Sequence, residues 1–276
     1  MRQAAERLAA EFPRKRAIVT GAASGLGFAF VKQLSQAGWT LALMDRNAGE
    51  LAGARNALAR ADQTLYTHHV DVADAEGFGA AVARFAQAEH GIDLFINNAG
   101  VATGGDFLAT PLEDWRWIVD INLLGVVHGC RAALQHMQPA NAGCIVNIAS
   151  AAAFACGAGM SAYSVTKAGV VALSESLMQE FADTGVRLTV AMPGFFATNL
   201  LTGSRGSAEV AAIARRLMQA SSVGADAVAA TILRAAADRR THIVVPKEYR
   251  RLWRWKRWLP GHFVRSFPKL AARARR

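Results

Sequence analysis

Cysteine is scarce in this 276-residue chain. The three cysteines, Cys130, Cys144 and Cys156, stand among apolar residues and form no CxxC motif. An odd, sparse set fits free thiols in a reducing compartment better than a disulfide framework or a zinc site. We therefore expect no metal and a cytoplasmic location.

Long apolar runs and charged residues are also scarce. No run reaches the roughly eighteen apolar residues that a membrane-spanning helix needs, and residues 1–16 lack the apolar core of a secretory signal. Hydrophobic residues make up 52% of the chain and charged residues 19%, which excludes a disordered chain. The length suits one large α/β domain or two small ones.

Acidic residues are nearly absent from the C-terminal end. Residues 239–276 hold thirteen lysines and arginines and one acid, Glu248, whereas the other 238 residues hold 18 basic and 20 acidic side chains. The formal net charge of +10 therefore comes from one short segment. This asymmetry indicates an attachment surface for an anionic partner rather than a basic fold.

Seven short apolar runs alternate with helical patterns along the chain. Runs that are apolar throughout are typical of a parallel sheet covered by helices on both faces. We predict an α/β fold with a single Rossmann-type domain at 13–246, a doubly wound, seven-stranded parallel sheet, between an N-terminal extension at 1–12 and a basic tail at 247–276. The predicted strands are residues 16–20, 40–44, 65–70, 92–97, 143–150, 187–192 and 242–246.

A glycine-rich turn follows the first predicted strand and precedes a helix. Gly21, Gly25 and Gly27 have the spacing GxxxGxG, with Ser24 and Leu26 between them. Glycine lets the backbone approach a phosphate, and a helix N-terminus offers free N–H groups and a positive dipole. Turns use glycine in any case, but the position after the first strand favours a dinucleotide site. The absence of Gly-Lys-Ser/Thr excludes a P-loop.

Two residues at the end of the second predicted strand bear on the choice of cofactor. Asp45 is placed to accept hydrogen bonds from ribose hydroxyls and to repel a 2′-phosphate, whereas Arg46 would attract that phosphate. An aspartate there also serves as a helix cap. No basic residue lies between Gly21 and Gly25. The pattern favours NAD and leaves NADP open.

The third and fourth predicted strands also end in polar or small residues. In an open parallel sheet the ligand crevice lies at the carboxyl ends of the strands, although asparagine and aspartate are common in ordinary turns as well. We assign to the cofactor the residues that follow these two strands, namely Asp71, Val72, Asn98, Ala99 and Gly100.

A serine, a tyrosine and a lysine have the spacing of a proton-transfer site. Tyr163 and Lys167 are four residues apart, so they share one face of a helix, and Ser150 ends the fifth predicted strand. A nearby lysine charge favours the phenolate, which predicts a lowered pKa for Tyr163. The same YxxxK pattern also occurs as the polar edge of an amphipathic helix.

Taken together, these motifs make the chain resemble the short-chain dehydrogenase/reductase family from about residue 15 to 246. The resemblance assigns the catalytic asparagine, serine, tyrosine and lysine to Asn122, Ser150, Tyr163 and Lys167. Motifs that match the family are TGxxxGxG at Gly21, Gly25 and Gly27, the adenine-contacting aspartate at Asp71, NNAG at 97–100, and PGxxxT at Pro193, Gly194 and Thr198.

The resemblance implies hydride transfer between a nicotinamide cofactor and an alcohol or carbonyl carbon. Tyr163 would be the general acid/base, and Ser150 would orient the substrate oxygen. Lys167 would hold the nicotinamide ribose and tune Tyr163, while Asn122 would support a water relay. The family also implies a homodimer or homotetramer built on helices near 115–136 and 162–181.

The residues that the resemblance places near the substrate are apolar. None of them is an arginine or lysine that would bind a carboxylate or phosphate, so we expect a lipophilic alcohol, aldehyde or ketone. Core residues would have the same composition. Besides Ser150 and Tyr163, the expected substrate contacts are Phe154, Met160, Phe195, Phe196 and Leu200.

Beyond residue 246 the sequence departs from the usual ending of the family. Residues 248–259 form a basic, tryptophan-bearing amphipathic pattern before Pro260 and Gly261, which is typical of a helix lying in an anionic membrane surface. The apolar face would also suit docking on the protein's own substrate lobe or on a partner subunit. Single-stranded nucleic acid is the partner that the pattern favours least, and residues 271–276 also fit a solvated basic end.

Two further alternatives concern mobility and activity. Residues 203–207 are rich in glycine and serine, which fits either a mobile lid or an ordinary helix connection. The fold would also suit a catalytically silent dinucleotide sensor or scaffold attached to a membrane by its basic tail. Such a protein would be expected to lose Tyr163 or Lys167, and this chain has both.

Overall fold

The seven predicted strands form one parallel sheet in the computed structural model, which describes residues 2–59, 63–198 and 200–274. The strand order is β3-β2-β1-β4-β6-β7-β9, so the chain winds outward from β1 in both directions and the predicted doubly wound fold is confirmed. Two short strands, β5 and β8, pair separately. The strands are β1 (Arg16–Thr20), β2 (Thr40–Asp45), β3 (Leu65–His69), β4 (Leu94–Asn97), β5 (Thr103–Gly104), β6 (Gly143–Ile148), β7 (Val186–Pro193), β8 (Arg205–Gly206) and β9 (His242–Val245).

Helices cover both faces of this sheet. Successive side chains of one strand point to opposite faces, so Val19 packs with α2 and α10 while Ile18 packs with α4 and α6. Both faces are apolar for this reason. The helices are α1 (Arg2–Glu11), α2 (Gly25–Gln36), α3 (Ala48–Leu58), α4 (Ala75–Ala88), α5 (Leu112–Val119), α6 (Gly125–Met137), α7 (Ala152–Ala155), α8 (Ser161–Glu180), α9 (Ala208–Gln219), α10 (Ala225–Ala237), α11 (Glu248–Trp258) and α12 (Pro260–Ala274).

The N-terminal segment packs on the domain. Ala4, Ala5 and Leu8 of α1 are fully buried in the core shared with α2 and α10. The Glu11 carboxylate accepts hydrogen bonds from Arg187 of β7 and, at 2.7 Å, from Arg239. Helix α1 is thus held by both apolar burial and ion pairs.

A π-helical turn (Asp120–Leu124) joins α5 to α6 into one helix, Leu112–Met137. It is the one helix in the described ranges that is long and apolar enough to cross a membrane, although its sequence holds no unbroken apolar run of about eighteen residues. Ile118, Val126 and Met137 are buried in the core beside α4. This packing makes it a core helix of the domain.

Residues 203–207, which the sequence allows as either a mobile lid or an ordinary helix connection, include the short strand β8. Strand β8 pairs with β5, and the Arg205 guanidinium binds the Asp114 carboxylate at 3.1 Å and lies 4.3 Å from the centre of the Trp117 ring. These contacts tie the segment to α5.

The C-terminal tail forms two helices. Helix α11 confirms the helix predicted at 248–259, and it ends before Pro260 as the sequence indicates. The sequence did not predict α12, which begins at Pro260 itself because proline is well suited to the first turn of a helix.

Candidate active site

A cavity of about 1280 Å³ opens at the carboxyl edge of the sheet. It brings together nearly all the residues that the sequence assigns to cofactor, catalysis and substrate. Gly27, Asn122 and Phe154 do not line it. The predicted residues that do are Gly21, Ser24, Gly25, Leu26, Asp45, Arg46, Asp71, Val72, Asn98, Ala99, Gly100, Ser150, Met160, Tyr163, Lys167, Pro193, Gly194, Phe195, Phe196, Thr198 and Leu200.

The glycine turn at one end of the cavity has a backbone that only glycine adopts easily. Gly21 and Gly25 have φ angles of +61° and +54°. A Cβ atom on Gly27 would lie 1.9 Å from the Gly21 carbonyl oxygen. Gly27 therefore keeps the first turn of α2 against the loop and acts on the site through this packing.

Asn98 and Thr20 fix the glycine turn to the end of β4. The Asn98 side-chain amide donates to the carbonyl oxygens of Thr20 at 3.0 Å and Gly21 at 3.2 Å. The Thr20 hydroxyl accepts from the backbone N–H groups of Asn98 and Ala99, both at 3.0 Å. Asn98 thus positions the glycine turn through hydrogen bonds to its backbone.

The glycine turn fits the phosphates of a dinucleotide. A Cβ atom on Gly21 would lie 2.9 Å from the Ala99 Cα atom, so the cradle is open only to glycine. Ser24 precedes α2 without a side-chain capping bond, so N–H groups of the first turn remain available to an anion. These residues would hold the pyrophosphate.

Asp45 bridges the glycine turn and the start of α3. One carboxylate oxygen accepts from the Ala23 N–H at 3.0 Å, and the other accepts from the Asn47 N–H at 3.0 Å. The carboxylate is thereby fixed at the cavity wall, where it can also accept bonds from a ribose. The Arg46 side chain beside it is exposed.

Asp71 and Val72 form a tight turn at the end of β3. The Asp71 carboxylate accepts from the Ala73 N–H at 2.9 Å, and the Val72 carbonyl oxygen lies 2.9 Å from Nδ1 of His128 on α6. These bonds hold the turn at the rim of the cavity, where the adenine end of a dinucleotide would lie.

Tyr163 and Lys167 lie one turn apart on α8 at the other end of the cavity. They are 6% and 4% exposed. The Lys167 ammonium donates to the Ile148 carbonyl oxygen at 3.0 Å and lies 5.9 Å from the centre of the Tyr163 ring. Ser150 follows β6, and its hydroxyl accepts from the Ala152 N–H at 3.1 Å. The three side chains line the same end of the cavity, as the sequence predicts, with Tyr163 and Lys167 buried and Ser150 half-buried.

Burial changes the proton affinities of this pair. It raises the pKa of Tyr163 above its ordinary value, which a hydrogen bond with Ser150 counteracts only in part. It also lowers the pKa of Lys167 to about 8. The expectation that Lys167 lowers the pKa of Tyr163 is therefore wrong for the protein alone, because desolvation disfavours both charged forms.

Asn122 acts on the backbone rather than on the cavity surface. It is fully buried in the π-helical turn, and its amide pairs with both backbone groups of Val101, at 2.8 Å and 2.9 Å. Gly100 packs closely against the side chains of Asn122 and Lys167. A Cβ atom on Gly100 would lie 3.1 Å from the Asn122 side-chain oxygen and 3.4 Å from the Lys167 nitrogen. Asn122 thus holds the 100–101 segment close to Lys167.

The substrate end of the cavity is apolar, but its residues differ in part from those expected. Phe154 is 7% exposed and packs in the core, so it does not reach the cavity. The sequence analysis left docking of the tail on the substrate lobe open as one alternative, which the packing of α11 supports, but it assigned no substrate contacts beyond residue 207. The helices beyond that residue, whose apolar residues were recognisable only by helical spacing, contribute Val210, Ile213, Leu217, Met218, Leu252, Phe267 and Leu270.

Comparison with known proteins decides the family. A family model described as short chain dehydrogenase matches residues 15–209. The chain belongs to the short-chain dehydrogenases. The glycine turn, NNAG segment and Ser150–Tyr163–Lys167 arrangement all lie within the matched residues.

Relatives and solved structures agree with this assignment. The chain is 36% identical over 185 residues to the probable oxidoreductase EphD of Mycobacterium tuberculosis, covering 66% of this chain but 31% of that protein, so it spans about a third of EphD. It is 36% identical over 187 residues to 2-(R)-hydroxypropyl-CoM dehydrogenase of Xanthobacter autotrophicus, covering 66% and 74% of the two chains.

Among solved structures, a short-chain dehydrogenase/reductase from Burkholderia phymatum in complex with NAD has a TM-score of 0.83. It is 28% identical and covers 88% of this chain and 92% of its own. This similarity agrees with the seven-stranded, doubly wound fold of the chain.

Proposed function

We propose that this short-chain dehydrogenase is an NAD-dependent oxidoreductase that interconverts lipophilic alcohols and their carbonyl compounds. The observation that carries the proposal is that buried Tyr163 and Lys167 lie with half-buried Ser150 between a dinucleotide cradle and an apolar cavity. The four residues Asn122, Ser150, Tyr163 and Lys167 are all present, which favours an enzyme over a silent sensor.

The chain's own residues would move the proton. When bound, the nicotinamide ring supplies the hydride acceptor or donor. Tyr163 donates a proton to the carbonyl oxygen in reduction and accepts one from the hydroxyl in oxidation, while Ser150 orients that oxygen. Lys167 holds the nicotinamide ribose, and Asn122 keeps Gly100 and Val101 in place beside it.

Asp45 supports NAD rather than NADP. Its carboxylate is fixed by the Ala23 and Asn47 N–H groups, so it cannot turn away from a 2′-phosphate without losing both bonds. The exposed Arg46 side chain has no such restraint. Repulsion by a fixed carboxylate therefore outweighs attraction by a mobile guanidinium.

The apolar wall supports a lipophilic substrate, and the relative from Xanthobacter supports a secondary alcohol, since its name specifies a 2-hydroxypropyl group. We expect the full chain to oxidise 2-alkanols with NAD⁺, with activity increasing from 2-butanol to 2-dodecanol. Nicotinamide absorbance measures the rate. NADH binding without turnover of any alcohol or ketone would instead support the dinucleotide sensor.

We infer a homodimer or homotetramer from exposed apolar residues on two helices. Leu112 and Leu124 are 73% and 40% exposed on the α5–α6 helix, and Val165 is 53% exposed on α8. These are the helices that the family resemblance assigns to subunit contacts.

We further propose a cytoplasmic protein that attaches to anionic membranes through its tail. Trp258 and Leu259 at the end of α11 are 81% and 58% exposed. The exposed arginines Arg251, Arg254 and Arg257 lie on the same helix. Tryptophan favours the membrane interface, and each basic residue near an anionic leaflet contributes about 1 kcal/mol.

Vesicle binding tests this attachment. The full chain should co-sediment with vesicles containing phosphatidylglycerol and less with pure phosphatidylcholine, because salt-sensitive attraction supplies much of the affinity. Trp258→Ser with Leu259→Ser should reduce sedimentation several-fold. Leu108→Ser is the control, since Leu108 is 95% exposed but lies far from the tail in sequence. Equal sedimentation of the tail variant and the wild type would disprove the attachment.

A further inference from the structure

The active-site cavity extends past the residues matched by the family model, which end at 209, onto the two C-terminal helices. We propose that α11 and α12 form a wall of the substrate site, where Leu252, Phe267 and Leu270 contact the hydrocarbon part of the substrate. This proposal rests on the proposed function and narrows its substrate class. It assigns a long aliphatic chain or an extended apolar ring system as the substrate class.

The first step is the docking of α11 beside the catalytic residues. A Cβ atom on Gly194 would lie 2.3 Å from the Tyr249 ring, so the ring packs directly on the Gly194 backbone. The Tyr249 hydroxyl accepts a hydrogen bond from the Phe195 N–H at 3.3 Å. The start of α11 is thereby fixed to the segment that follows β7 and lines the cavity.

Further contacts hold the rest of α11 against the sheet. The Arg250 side chain donates to the Val244 carbonyl oxygen of β9 at 3.1 Å. The Trp253 ring stacks on His242 with centres 6.3 Å apart, and both Leu252 and Trp253 pack on the core. Helix α11 is therefore part of the folded domain.

Helix α12 docks on α11 through aromatic side chains. Phe263 is 1% exposed, and its ring lies 4.9 Å from the Trp255 ring and stacks 4.7 Å from Phe267. The Trp255 indole N–H donates to His262 at 3.1 Å. This packing sets the rotation of α12 about its axis.

That rotation directs one face of α12 into the cavity. Phe263, Phe267 and Leu270 are spaced by four and three residues, so they share a face. Phe267 and Leu270 line the cavity, where Leu270 is 47% exposed, whereas Val264 lies on another face, does not line the cavity and is 59% exposed. Among the described residues of the two helices that line the cavity, only Glu248 carries a charge. A hydrocarbon chain matches such a wall.

Ketone binding to the full chain loaded with NAD⁺, which cannot reduce a ketone, tests the wall. Isothermal titration with 2-alkanones should show affinity increasing from 2-butanone to 2-dodecanone, by roughly fourfold for each methylene that is buried. Leu270→Ala should weaken 2-dodecanone about tenfold and leave 2-butanone unchanged. Phe267→Leu, which keeps apolar packing on Phe263, should do the same to a smaller degree. The matched control is Val264→Ala, which should bind every ketone like the wild type.

The outcomes separate the wall from the proposed function. Unchanged chain-length dependence in Leu270→Ala and Phe267→Leu would overturn the wall, while turnover of the ketones with NADH would still support the oxidoreductase. Selective loss of long ketones in these variants would support the wall even if no ketone were reduced, which would overturn the oxidoreductase. If no ketone bound, the wall would be overturned as well.

Discussion

Tyr163→Phe is expected to lower turnover of 2-alkanols about a thousandfold, within the range that a general acid/base contributes. Phenylalanine keeps the ring packing of this buried residue but removes the hydroxyl that transfers the proton. NADH affinity should change little, because the glycine turn and Asp45 are unaffected. The measurement pairs steady-state rates with an NADH fluorescence titration of the same preparation.

Controls identify the cause of that loss. Ser150→Ala should slow turnover less than Tyr163→Phe, because Ser150 orients the oxygen and Tyr163 carries the proton. Oxidation should also speed up with rising pH, since burial raises the pKa of Tyr163 and the phenolate forms only in alkaline solution. A Tyr163→Phe variant with more than a tenth of wild-type turnover would exclude Tyr163 as the acid/base.

Lys167→Met is expected to abolish turnover yet stabilise the cofactor-free protein at pH 7 by about 2 kcal/mol. The pKa of Lys167 is lowered to about 8 in the fold, against an ordinary value of 10.5. That difference corresponds to roughly 3 kcal/mol for burying the charge. Losing the hydrogen bond to the Ile148 carbonyl offsets about 1 kcal/mol of the gain.

The pH dependence of this effect has a definite sign. Below pH 8 both folded and unfolded states carry the Lys167 proton, so the wild type bears the full cost. Between pH 8 and 10.5 the folded state releases the proton first, so the wild type gains stability relative to the variant. Urea unfolding on either side of pH 8 measures this, with Lys247→Met, at an exposed lysine just before α11, as control. A stability difference that is constant with pH would contradict it.

The sheet was predictable because a parallel sheet buried on both faces leaves continuous apolar runs in the sequence. The ends of the strands were less predictable. Strand β6 ends at Ile148 rather than at residue 150, because the residues that follow turn into α7. The spacing of Tyr163 and Lys167 placed them on one helix face, but their roles, and that of Asn122, came from the resemblance to the family. The direction of the pKa shift of Tyr163 could not be predicted from the sequence, because burial is set by tertiary packing.

The C-terminal wall shows where sequence reasoning failed. The spacing of Phe263, Phe267 and Leu270 is helical, but Pro260 and Gly261 before them indicated an end rather than a new start. The contact of Tyr249 with Gly194 joins residues 55 positions apart in the chain and leaves no local pattern. The amphipathic pattern of residues 248–259 suited both a membrane surface and docking on the substrate lobe, and only the tertiary contacts of Tyr249, Leu252 and Trp253 distinguish the two.

Separate titrations of the full chain with NADH and with NADPH, each followed by nicotinamide fluorescence, test the central claim most directly. The geometry of the glycine turn and Asp45 predicts saturable binding of one dinucleotide per chain, with NADH bound more tightly, and a smaller preference in Asp45→Asn. Tighter NADPH binding would show that Arg46 prevails over Asp45. Binding of neither nucleotide would contradict the account of this site as a nicotinamide-dependent dehydrogenase.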